Sequence, residues 1–125
     1  MTNLLAVLLA PVFTTALAAA DVTGVWVLEF ESDFSGHPST GECTFKQAGS
    51  KLTGDCGTDS PDPTAVSGEV NDQKVVFQFK TGRNKEISAT FTAELDDQAK
   101  TMKGTWSFVG GDGKKVDGKF QARKR

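Results

Sequence analysis

Few side chains in this sequence could do chemistry. His37 is the one histidine, set between Gly36 and Pro38 with Asp33 nearby. A Ser-His-Asp relay would depend on it alone, and its surroundings read as a solvated loop. Cys43 and Cys56 have no histidine at zinc-ligand spacing. Asp59-Ser60-Pro61-Asp62 and Asp96-Asp97 bring carboxylates together. Neither follows the spacing of an EF-hand loop, and both read as turns. No glycine-rich loop precedes a helix that could cradle phosphate. The residues therefore imply no enzyme, no metal and no cofactor. What remains is aromatic: nine Phe and two Trp, without Tyr. Such rings bind an apolar molecule where they line a void, and otherwise fill a core.

The elements that must position those rings are strands. From Val22 onward, hydrophobic residues recur at every second position and turn residues interrupt them at short intervals. This predicts eight strands: Val22–Glu31, Glu42–Gln47, Lys51–Gly57, Ala65–Val70, Lys74–Lys80, Glu86–Leu95, Thr101–Val109 and Lys115–Arg123. One face of each is apolar and the other carries Thr, Lys, Glu, Asp and Gln, as in an antiparallel sheet with one wet side. Seven short connections predict an all-β, single eight-stranded antiparallel up-and-down β-barrel over residues 21–125. A two-sheet sandwich is the other closure. Inward Phe30, Phe79 and Phe108, with Phe77, Phe91 and Trp106 below them, are the ligand-binding candidates.

The hairpins can be registered from the sequence. A Gly49-Ser50 turn pairs Phe45 with Gly54 and Cys43 with Cys56. The cysteines then face each other at a non-hydrogen-bonded position, where strands come closest, so a disulfide is expected. An Asp72-Gln73 turn pairs Gly68 with Phe77. The Asp96-to-Lys100 turn pairs Phe91 with Trp106. A Gly111-Asp112-Gly113 loop pairs Trp106 with Gly118. An apolar-x-Gly-x-apolar pattern recurs, for example in Leu52-Gly54-Cys56 and Met102-Gly104-Trp106. Glycine weakens a strand, so a steric reason is expected, and alternation of large and small inward residues in a narrow barrel supplies one.

Residues 1–20 differ from the rest. Leu4 to Ala10 is a short apolar run, broken by Pro11, and Ala16 to Ala20 offers small residues before the first charge, Asp21. This predicts a signal peptide removed before Asp21 or Ala19, although Met1-Thr2-Asn3 lacks the usual Lys or Arg. The run is too short and broken for a membrane span. A secreted or periplasmic location follows, and it suits a disulfide. The formal net charge of −2 gives no field to attract nucleic acid. Charge is unevenly placed: residues 21–72 hold ten acidic side chains against Lys46 and Lys51, and residues 73–125 hold twelve basic against six acidic. The positive flank, with Lys114, Lys115 and Lys119, could dock an acidic partner. A surface that neutralises itself on average is the plainer reading.

Gly24-Val25-Trp26 at the start of the first strand and Arg123 at the end of the last resemble the calycin barrels, which include lipocalins and avidins. The resemblance implies that Gly24, Trp26 and Arg123 close one end of the barrel, the tryptophan packing under the basic residue. Leu52-Thr53-Gly54 and Lys103 to Phe108 also resemble a group of small secreted bacterial proteins. Avidins hold biotin with a ring of hydroxyls and amides plus tryptophans, and the nearly apolar inward list here argues against biotin. Small periplasmic inhibitors of bacterial metalloproteases are similar in having a barrel, one disulfide and a Gly-x-Trp-like start. They plug the protease with a free N-terminal segment, of which removal of the signal peptide would leave almost nothing ahead of the first strand here. The expected function is a non-enzymatic barrel binding a small hydrophobic ligand. The alternative is a filled-core structural or protein-interaction barrel acting through its surface.

Overall fold

The computed structural model describes residues 20–32, 36–57 and 62–125. Residues 1–19 of the expected signal peptide, Asp33 and Asp59 to Pro61 lie outside the described residues. Eight strands follow one another: β1 (Gly24–Phe30), β2 (Ser39–Ala48), β3 (Lys51–Cys56), β4 (Thr64–Asn71), β5 (Lys74–Thr81), β6 (Ile87–Leu95), β7 (Thr101–Val109) and β8 (Lys115–Lys124). Each pairs antiparallel with the next, and β8 pairs with β1, so the sheet closes as an up-and-down barrel. No edge strand remains open.

The expected registers hold. Phe45 faces Gly54, Cys43 faces Cys56, Gly68 faces Phe77, Phe91 faces Trp106 and Trp106 faces Gly118. The limits of the strands shift where pairing, rather than hydrophobicity, sets them. β2 begins at Ser39 instead of Glu42, because polar Ser39 and Thr40 still pair with Phe30 and Glu29. The β7–β8 connection spans residues 110–114, closed by a bond from the Gly110 N–H to the Lys114 carbonyl at 2.9 Å. β1 begins at Gly24 rather than Val22, because the chain turns there at a φ of +138°.

That turn sends Val22 under the base of the barrel, where it is fully buried. Its N–H donates to Gln47 Oε1 at 2.9 Å, and its carbonyl accepts from Trp26 Nε1 at 2.9 Å. At the base the basic residue of β8 beside Gly24 is Lys124, whose Nζ donates to the Asp21 carbonyl at 3.2 Å. Arg123, expected to cover Trp26, instead pairs with Val27 and points outward to Glu29 at 2.7 Å. The side-chain alternation along β8 forces this, since residues 122 and 124 take the inward positions.

The charge asymmetry has a structural consequence. The acidic start of the chain meets its basic end along the β1–β8 seam, through Arg123–Glu29 at 2.7 Å and Arg125–Glu42 at 2.8 Å. Both pairs are partly exposed, so each is worth at most about 1 kcal/mol. Their chief effect is to favour β8 as the partner of β1.

Inside, Trp26, Leu28, Cys43, Phe45, Leu52, Val75, Phe77, Ala89, Phe91, Met102, Trp106 and Phe120 are buried in one core. Several inward glycines have a reason beyond the alternation of large and small residues. A β-carbon at Gly54, Gly68 or Gly104 would strike the backbone of the neighbouring strand, reaching 3.0 Å from Phe45 Cα, 2.7 Å from Phe77 Cα and 2.6 Å from Ala93 Cα. The strands coil so tightly that only a missing side chain lets them pass. At Gly118 the neighbour is a ring, since a β-carbon would lie 2.8 Å from Trp106 Cζ2.

The β6–β7 turn carries a titrating group. Asp96 Oδ1 accepts from the Thr101 N–H at 3.0 Å and the Lys100 N–H at 2.8 Å. Those two bonds, Thr101's first, hold its carboxyl below the ordinary carboxylate range. Because the folded pKa is the lower one, protonation favours the unfolded chain. The stabilisation is present above about pH 4 and is lost as pH falls through the lowered value. Asp96→Asn should therefore flatten part of the acid limb of a stability-against-pH curve measured with urea. An acid limb identical to that of the unsubstituted protein would refute this role.

Candidate binding site at the barrel mouth

The ends of β1, β3, β5 and β7 and the starts of β2, β4, β6 and β8 form one rim. Chain alternation places Phe30, Phe79 and Phe108 inward at this rim, each only partly buried. Val116, also at the rim, is 36% exposed. The base is different. There Val22, Trp26, Leu52 and Val75 are sealed to 2% exposure or less. The barrel is thus closed below and apolar but accessible above.

The aromatic candidates separate into two groups. Phe77 is fully buried and stacks on Phe91, with centroids 4.7 Å apart and planes 3° from parallel. Phe45 meets Phe77 edge-on at 5.0 Å, and Phe120 meets Phe91 edge-on at 5.2 Å. This lower set fills the barrel. Above it, Phe79 stacks on Phe91 at 5.7 Å, and Phe108 meets Trp106 edge-on at 5.2 Å. Phe30 lies within about 6 Å of Phe91, Trp106 and Phe120, with centroid distances of 6.1, 6.3 and 6.3 Å.

Small residues join these rings at the mouth. Gly41, Cys43, Cys56 and Gly57 line, together with Phe30, Phe79 and Phe91, a space of about 690 Å³. The same space extends over the outer face of β1, where Val27, Glu42, Arg123 and Arg125 bound it. The volume inside the barrel is therefore smaller than that figure.

The disulfide itself joins Cys43 to Cys56 with a Cα separation of 3.9 Å. The flanking Gly57 N–H donates to the Glu42 carbonyl at 2.8 Å, so the cysteines occupy the non-hydrogen-bonded position expected of them. It ties β2 to β3 at the mouth, where the pairing of these strands ends. Replacing both cysteines by serine should lower unfolding stability by about 2–4 kcal/mol, read as a lower urea midpoint. No change in midpoint would mean that the hairpin alone holds this corner.

His37 and Asp62 lie exposed in the connections at the rim. Among the described residues, no group of three or more His, Cys, Asp or Glu converges as a metal site, and no helix is long and apolar enough to cross a membrane. One feature of the site escaped the sequence. The indole N–H of Trp106 is buried with no hydrogen-bond partner, whereas that of Trp26 has Val22. Spacing alone cannot distinguish a paired indole from an orphaned one.

No protein-family model and no curated protein sequence matches the chain. Among solved structures, the crystal structure of rhizavidin is similar, with a TM-score of 0.53, 13% sequence identity and 81% of each chain covered. At that identity the likeness concerns the fold, a calycin-like barrel.

Proposed function

We propose that this protein is a secreted or periplasmic, non-enzymatic barrel that binds a small hydrophobic molecule at its mouth. Phe30, Phe79 and Phe108 present accessible aromatic surface, Phe91 supports them, and the small residues Gly41, Cys43, Cys56 and Gly57 line the space beside Phe30 and Phe79. The observation that carries the reading is the contrast between a sealed base and a mouth of partly exposed rings beside a space. Filling a barrel needs no exposed Phe at one end, since burial of each ring would add roughly 1.5–3 kcal/mol. Export is supported by the apolar run of residues 4–10 with the small residues that follow, and by the disulfide.

The test is a titration with N-phenyl-1-naphthylamine, an uncharged dye that brightens in apolar surroundings. Saturable binding at one site per barrel is expected. Phe79→Ala should weaken it about tenfold, which corresponds to 1.4 kcal/mol. Absence of saturable binding by a folded, disulfide-bonded sample would sink this reading.

A further inference from the structure

Trp106 is 2% exposed, in the upper half of the barrel on β7. Its ring lies over the bare backbone of Gly118 on β8. Any side chain at position 118 would collide with the ring, so glycine there is what allows the indole this pose. Phe108 and Phe30 meet the ring edge-on at 5.2 and 6.3 Å, and both belong to the half-buried rim. In this pose Nε1 is buried without an acceptor, the sole such side-chain atom among the described residues.

A buried N–H left unpaired costs about 1–3 kcal/mol. The barrel does not avoid that cost in the simple way, by placing a Phe at 106. It also does not supply a carbonyl, as it does for Trp26 through Val22. The Gly118 backbone lies beside the N–H, yet no oxygen among the described residues is placed to accept from it. A ligand can supply the acceptor, and Phe30 is the mouth residue whose ring meets the indole. Phe30 borders the mouth space on one side and meets Trp106 on the other. A ligand that displaced the Phe30 ring would come against the indole.

We infer that Trp106 Nε1 is the polar anchor of the mouth, and that the ligand is an uncharged, largely aromatic or aliphatic molecule carrying a carbonyl or ether oxygen. This rests on the mouth being a binding site, and it adds the chemical class. A neutral acceptor fits because the surroundings are apolar, and an anion there would lose its hydration without a counter-charge. One oxygen suffices, since the site offers one donor.

The experiment compares two probes of nearly the same shape, 2-acetylnaphthalene and 2-isopropenylnaphthalene. The first has a carbonyl where the second has a methylene. The hydrocarbon is the more hydrophobic, so without a hydrogen bond it binds more tightly. The folded protein, labelled with ¹⁵N at its two tryptophans, is titrated with each. The ketone should bind about tenfold more tightly than the hydrocarbon. It should shift the Trp106 indole proton downfield and leave that of Trp26 in place. Trp106→Phe assigns the two signals, and in that variant the preference should invert while the hydrocarbon stays bound. If both probes bind the unsubstituted protein but the hydrocarbon binds as well or better, with the Trp106 signal unmoved by the ketone, the anchor is wrong and the apolar mouth stands. A trapped water that already satisfies the N–H would give that same result. If neither probe binds, both the anchor and the binding reading fail.

Discussion

Gly104→Ala is expected to destabilise the barrel strongly. A β-carbon at position 104 would lie 2.6 Å from Ala93 Cα and 2.7 Å from the carbonyl carbon of Thr92, and it would overlap the Thr92 oxygen. These are backbone atoms of β6, and they cannot rotate away as a side chain tip would. Relief requires β6 and β7 to separate where Ala93 faces Gly104, which breaks the ladder on both sides. Overpacking commonly costs about 1–3 kcal/mol and more where backbone must move, so about 3 kcal/mol or more is expected. A domain of this size has about 5–15 kcal/mol in all. Urea unfolding followed by tryptophan fluorescence would measure the loss. Gly111→Ala is the control, because a β-carbon there would meet Glu86 at an ordinary 3.5 Å. Its effect should stay within about 0.5 kcal/mol. A Gly104→Ala protein as stable as the control would show that β6 and β7 do not approach so closely.

Phe77→Ala should be the costliest truncation among the aromatic candidates. Its ring is fully buried, stacked on Phe91 at 4.7 Å and contacted edge-on by Phe45 at 5.0 Å and Phe120 at 6.5 Å. The surrounding strands are closed into a barrel and cannot collapse into the vacated volume. Loss of about 3–5 kcal/mol follows, from removed contacts and from the cavity. Phe79→Ala removes a ring already partly in water, and about 1–2 kcal/mol is expected there. The two variants separate packing from binding. Phe77→Ala should lower the thermal midpoint strongly, with dye affinity at the remaining folded barrel little changed. Phe79→Ala should do the reverse. If Phe77→Ala instead abolished dye binding at unchanged stability, the binding site would lie deeper than the rim.

Much of this architecture was legible before any coordinates. Alternation from Val22 onward marked the strands because a half-buried sheet has a period of two, and no other element shares it. Short turns fixed the hairpins, and a correct turn fixes every pair above it. That is why Cys43 and Cys56, Gly68 and Phe77, and Trp106 and Gly118 fell opposite one another as expected. The disulfide followed from that register with no further information.

Other features depended on contacts between distant parts of the chain. Arg123 and Lys124 are neighbours in sequence, and only the β1–β8 pairing decides which of them turns inward. Val22 continues the alternating pattern of β1, yet it leaves the strand to seal the base, because Trp26 and Gln47 offer it hydrogen-bond partners there. Glycine was legible as an inward small residue. Its reason at Gly54, Gly68 and Gly104, an adjacent backbone too near for a β-carbon, appears only when the sheet has coiled. The depth order of the Phe residues was legible, but how completely each ring is sealed was not. Phe77 and Phe79 sit two residues apart on the same face of β5, and one is sealed while the other reaches the rim. The sequence determined the strands, their faces, their hairpin registers and the disulfide, because these depend on local spacing. The tertiary structure decided that the upper rings stay accessible instead of completing the core, and which indole lacks a partner, because these depend on how the closed barrel packs.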